Sequence, residues 1–110
     1  MRLIALIFAT ALCAALATPL LARENDLATQ GRALAERHCA GCHSIAPSGE
    51  SPHREAPPFR VVVVKWPLEN IEEALAEGIV TGHPDMPAFE FDPPQIEALI
   101  EYLYTLKADR

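Results

Sequence analysis

The chain alternates segments of clear hydrophobic pattern with segments that have none. Leu3 to Leu16 is a nearly unbroken apolar run without period. Leu27, Gly31, Leu34, Ala35 and His38 then recur at i, i+4, i+7, i+8 and i+11. Arg32, Glu36 and Arg37 take the opposite face, which predicts an amphipathic helix capped by Asn25 or Asp26. Glycine inside a helix costs about 1 kcal/mol relative to alanine, so Gly31 predicts close approach of another backbone. A second helix is expected from Pro67 to about Glu77. Ile71, Ala74, Leu75 and Gly78 share its inner face, Glu69, Glu72, Glu73 and Glu77 form a solvated one, and Gly78 is the C′ residue. Asp92-Pro93-Pro94-Gln95 supplies an N-cap, two prolines tolerated in a first turn, and a capping-box partner. The helix it opens carries Ile96, Leu99, Ile100, Leu103 and Leu106 on one face and ends near Lys107. Residues 44–58, rich in Ser, Pro and Gly, read as a loop. Phe59 and Val61 to Val64 have strand propensity but no partner strand. A buried extended or short helical segment is the expectation there. The pattern is all-α, with three main helices, no internal repeat and no second domain.

The N-terminal run changes how the rest is counted. Arg2 is a positive n-region, and Ala15-Leu16-Ala17 and Leu20-Leu21-Ala22 are small-residue cleavage sites. Residues 1–22 are therefore expected to be a cleaved secretory signal peptide, cut after Ala17 or Ala22, leaving residues 23–110 as the mature domain. Cys13 lies inside the run without the small residue that precedes a lipidated cysteine. A chain beginning at Arg23 has 88 residues, small for a self-sufficient core. It holds 8 Lys and Arg against 15 Asp and Glu, a net charge of −7. That balance argues against nucleic-acid binding and favours basic or neutral partners, with association that slows as salt rises.

Only Cys39 and Cys42 remain, in Cys39-Ala40-Gly41-Cys42-His43. Two thiols two residues apart with an adjoining histidine are the attachment signature of a c-type haem. Both thiols must reach two vinyl groups on one porphyrin edge, so they must rise from one tight turn, and His43 then lies under the iron as proximal ligand. A thioredoxin-like dithiol would stand at a helix N-terminus within a β-α-β pattern, which is absent. A zinc site would need a second ligand pair, and a disulfide over so short a loop would constrain little. The porphyrin would then act as core as well as cofactor.

Met86 becomes the one methionine once Met1 is removed, 43 residues after His43 and flanked by Pro84 and Pro87. The prolines stiffen its loop, so a thioether can be held at the iron with little flexibility. A His43/Met86 pair keeps the iron six-coordinate and raises its potential, which suits outer-sphere electron transfer. His83, three residues earlier, is the rival sixth ligand, but is expected to be a loop histidine hydrogen-bonding backbone; His38 and His53 are expected to make only surface or local contacts.

Taken together, these features resemble the class I cytochrome c family over nearly the whole mature chain. They are Gly31 eight residues before the first haem Cys, the Cys39–His43 motif near the N-terminus, the His83-Pro84-Asp85-Met86-Pro87 loop and the Leu99-Ile100-Glu101-Tyr102-Leu103 helix. The resemblance implies an all-α, cytochrome c-like fold with three main helices wrapped around one covalently bound haem. It implies that Gly31 meets Leu99 and Tyr102 where the terminal helices cross. Pro57 would offer its carbonyl to the Nδ1–H of His43, orienting that ring and raising its basicity. Phe59, Phe89 and Tyr102 would line or abut the haem pocket, and Trp66 would stand near a haem propionate or simply pack. The sequence departs at Ala35, where the family commonly has an aromatic, and it lacks the lysine-rich face of mitochondrial members. It is more similar to small bacterial periplasmic cytochromes c.

The expectation is a monomeric periplasmic one-electron carrier and not an enzyme, with a single haem c held through Cys39 and Cys42. Its partners would be redox donor and acceptor proteins, met transiently on membrane respiratory complexes or periplasmic dehydrogenases. Two alternatives accompany it: a haem c subunit bound to a periplasmic dehydrogenase, and a haem-based ligand sensor with labile Met86 ligation.

Overall fold

The computed structural model describes residues 2–79 and 83–108, with side chains described from Leu20 onward. Four helices follow one another: α1 (Arg2–His38), α2 (Phe59–Lys65), α3 (Leu68–Glu77) and α4 (Pro93–Ala108). There is no strand among the described residues, so the fold is all-α as the hydrophobic pattern predicts. Thr81 and Gly82 of the expected Met86 loop lie outside the described residues. No helix among the described residues is long and apolar enough to cross a membrane.

α4 is the hub of the molecule and packs on each of the other three helices. It contributes Ile96, Leu99, Ile100, Tyr102, Leu103 and Leu106 to the core, which Ala35, Val63 and Leu68 complete from α1, α2 and α3. The capping box at its start is formed. The Asp92 backbone N–H donates to Gln95 Oε1 at 3.0 Å, and the Gln95 N–H donates to Asp92 Oδ1 at 2.9 Å.

Two expectations about α1 are corrected. The helix does not begin at Asn25 or Asp26 but runs through them. A cap residue starts a helix only where the chain enters from non-helical backbone. Here the Asp26 carboxylate accepts from Gln30 Nε2 at 2.8 Å, and the Asn25 carbonyl accepts from Thr29 Oγ1 at 2.9 Å. The crossing with α4 also differs in register. A Cβ on Gly31 would lie 1.8 Å from the Ala98 carbonyl oxygen and 2.9 Å from Tyr102 Cβ, so Ala98 replaces Leu99 as its neighbour. Ala98 and Tyr102 are one turn apart on the face toward α1, whereas Leu99 and Leu103 form the next row. Ala35, one turn after Gly31, is fully buried. Its small side chain lets the helices close, so the missing aromatic produces a tight crossing.

The valine segment is helical. Pro58 and Pro67 bracket it and the Pro58 carbonyl accepts from the N–H groups of Val61 and Val62, so local turn chemistry prevails over strand propensity where no partner strand exists. Burial is selective: Val63 is buried, while Val61 and Val64 are exposed. α3 ends at Gly78, whose φ of 83° suits a residue without Cβ.

Candidate functional site

The Cys39–His43 motif is wound into turns immediately after α1. Cys39 and Ala40 donate to the Ala35 carbonyl at 2.8 and 2.9 Å, and Cys42 and His43 donate to the Cys39 carbonyl at 3.1 and 2.9 Å. Both cysteines border a cavity of about 640 Å³, within the usual range for a ligand site. Pro57 reaches it from the loop between α1 and α2, Phe59 and Trp66 from the two ends of α2, and Met86 from the loop between α3 and α4. Cys39, Cys42, His43, Pro57, Phe59, Trp66 and Met86 meet there, and Phe89 joins them. Tyr102 does not border the cavity, and its hydroxyl donates to the Ile45 carbonyl at 2.6 Å. Leu99 and Leu103 of α4 and Ile71 and Leu75 of α3 supply apolar wall.

The orientation of His43 follows from chemistry. Its Nδ1 lies 2.7 Å from the Pro57 carbonyl oxygen, which can only accept, so Nδ1 carries the hydrogen. Nε2 is then the nitrogen with a bare lone pair, the form that ligates a metal. Phe59 packs beside the ring, centroids 5.3 Å apart. The Phe59 backbone N–H donates to the Ser44 carbonyl at 2.8 Å, tying this aromatic to the residue after His43.

Cys39 and Cys42 form no disulfide. Burial, with the neighbouring Cys42 second, pushes the Cys39 thiol up to about 11. A thioredoxin-like site depends on a lowered thiol, so the environment opposes that chemistry. Among the described residues no group of three or more His, Cys, Asp or Glu could hold a metal ion by itself. The donor set suits a flat apolar ring that brings its own four nitrogens: one oriented imidazole, one thioether, two edge thiols and hydrophobic walls.

A comparison with protein families matches residues 26–103 to the family described as "Cytochrome C oxidase, cbb3-type, subunit III", a c-type cytochrome domain. The chain belongs to this family. No curated protein and no solved structure matches it. A c-type cytochrome domain implies a haem c and electron transport, and the residues around the cavity fit that group.

His53 and His83 of this c-type cytochrome make the local backbone bonds expected of them, from the N–H groups of Glu55 and Asp85 at 3.2 Å each, and the structure adds contacts that the sequence did not indicate. His38 borders the cavity and meets Phe89 and Phe91 edge-on, centroids 5.9 and 5.5 Å away, linking the end of α1 to the chain after Met86. His53 and His83 stand 5.6 Å apart, and each reaches a carboxylate on the other's loop. The available signal was the repeated spacing His53-Arg54-Glu55 and His83-Pro84-Asp85.

Proposed function

We propose that this chain is an exported one-electron carrier. Cys39 and Cys42 would hold one haem c through thioethers, and His43 Nε2 and the Met86 sulfur would ligate its iron. When bound, the haem supplies a ferric/ferrous couple that His/Met ligation poises high. The observation that carries the reading is the convergence on one cavity of the paired thiols, an imidazole with Nδ1 committed to Pro57, and a thioether. Pro57 holds the His43 plane and tautomer, and the apolar walls keep water from the iron. Both ring nitrogens of His83 already have partners, the Asp85 N–H and Glu55, which favours Met86 over His83 as sixth ligand. No general acid, nucleophile or open coordination position is needed, so the domain is a carrier and not an enzyme by itself.

Export follows from the apolar segment before Ala22, and the periplasm is the compartment proposed. Donor and acceptor are proposed to be proteins with basic or neutral docking faces, met transiently by a monomer. The family description favours a second reading, in which the domain works as the bound subunit of a larger redox complex. Stable copurification with larger chains selects that reading, and isolation as a monomer selects the free carrier.

Intact-mass measurement of the purified protein tests attachment. A gain of one haem that survives acid–organic extraction and is lost in C39S/C42S supports thioether attachment; extractable haem overturns it. The same mass locates the start of the mature chain.

A further inference from the structure

Two tripeptides from separate loops close a hydrogen-bonded circuit. The His53 ring accepts the Glu55 backbone N–H at Nδ1, at 3.2 Å, and donates from Nε2 to Asp85 Oδ2 at 3.0 Å. The His83 ring repeats the arrangement: Nδ1 accepts the Asp85 N–H at 3.2 Å, and Nε2 donates to Glu55 Oε2. Each histidine is thus fixed at both nitrogens, and each acid is bound through both its backbone and its side chain. A neutral Nε2–H tautomer satisfies every bond, because a hydrogen on Nδ1 would face a backbone N–H.

The circuit lies between the two supports of the haem site. On one side, the His53 N–H donates to the Cys42 carbonyl at 3.1 Å, and Pro57, four residues on, holds the His43 ring. On the other, the Met86 N–H donates to the His83 carbonyl at 3.3 Å. The carboxylates are exposed, so each cross-link is weak alone. Closure makes them act together, since displacing the Met86 loop breaks both. A metal-binding role does not fit, because the four side chains satisfy one another and form no ligand group.

We propose that His53, Glu55, His83 and Asp85 form a clasp that positions the Met86 loop, holding the thioether in place and slowing entry of external ligands. The inference rests on Met86 as sixth ligand. All four are positioning residues, acting through the loop.

The test separates the link between loops from the local turn. Asparagine keeps an acceptor near Nδ1 but cannot span to the opposite carboxylate, whereas glutamine keeps a donor near Nε2. In the haem-loaded protein, H53N and H83N should weaken the far-red iron–thioether band of the oxidised form. They should also speed cyanide association about three- to tenfold, the weight of one hydrogen bond. H53Q and H83Q should stay within about twofold of wild type, less than the loss of a full bond. Asparagine variants that match wild type, or glutamine variants as impaired as asparagine, overturn the clasp. Nitrogen-15 NMR of the reduced wild-type protein reads the rings independently of the ligand assignment. Fixed Nε2–H tautomers at both histidines support the circuit, and averaged rings or Nδ1–H tautomers overturn it. A far-red band that persists in M86A refutes the ligand assignment alone, with the ring tautomers still deciding whether the loops are joined.

Discussion

Replacing Gly31 by alanine tests the packing that closes the molecule around its site. The added Cβ would lie 1.8 Å from the Ala98 carbonyl oxygen and 2.5 Å from its carbon, where ordinary contact begins at 3.4 Å. The deficit against the oxygen is 3.4 less 1.8, about 1.6 Å, and it is against backbone, so no rotamer change relieves it. α1 and α4 must separate at the point where Ala35 and Tyr102 are buried. Overpacking typically costs about 1–3 kcal/mol and more where backbone must move, while alanine returns about 1 kcal/mol of helix propensity. With the upper end of that range for a clash this deep, the expected net loss is about 2 kcal/mol, from a total of about 5–15 for such a domain. Denaturant unfolding of the haem-loaded protein, followed by far-ultraviolet circular dichroism, should show this loss, with a midpoint lowered by roughly 10 °C or more on heating. A98G should not rescue G31A, because the obstacle is the Ala98 carbonyl and not its methyl group. A G31A variant within about 0.5 kcal/mol of wild type, as for an unconstrained surface site, or rescue by A98G, would refute the close crossing.

Three further outcomes follow from the same geometry. Y102F removes the hydrogen bond from the Tyr102 hydroxyl to the Ile45 carbonyl at 2.6 Å and should cost about 1–2 kcal/mol in the same unfolding measurement. Burial, first among its causes, raises the Tyr102 hydroxyl above its ordinary value of 10.0. The native state therefore keeps its proton longer than the unfolded chain. That contribution is fully present below pH 10 and is lost as pH rises through the folded value; an alkaline stability profile should fall less steeply in Y102F. G78A forces a Cβ onto a φ of 83° and should cost about 1–2 kcal/mol although nothing stands within 4 Å of the new carbon; an unchanged midpoint would contradict the strained cap.

How much of this could be read from the residues depended on the range of the interactions. α3, α4 and the attachment turn were legible because their signals are local: a proline and a glycine bracket α3, Asp92 and Gln95 cap α4, and the motif spans five residues. For the valine segment the sequence left an extended or a short helical form open; strand propensity alone pointed the wrong way, and Pro58, Pro67 and the absence of a strand to pair with decide for the short helix. Gly31 announced a crossing but not its register. Choosing Ala98 over Leu99 requires the rotation of α4, which the cavity-facing row of Leu99 and Leu103 decides. The His53–His83 circuit joins residues about thirty positions apart through side chains whose spacing is ordinary in solvent-exposed loops, so only the fold displays it. Pro57 shows the opposite case, since the class I cytochrome c resemblance indicated a carbonyl bond that periodicity could not.

The central claim is a low-spin carrier with His43 and Met86 on the iron. Its most direct test is the visible spectrum of the purified mature protein, recorded oxidised, reduced, and reduced under carbon monoxide. The account predicts a weak far-red band of iron–thioether ligation when oxidised and a sharp low-spin reduced spectrum that carbon monoxide leaves unchanged. A reduced spectrum that shifts with carbon monoxide would mean an open or labile sixth position, and would replace electron carriage with ligand sensing.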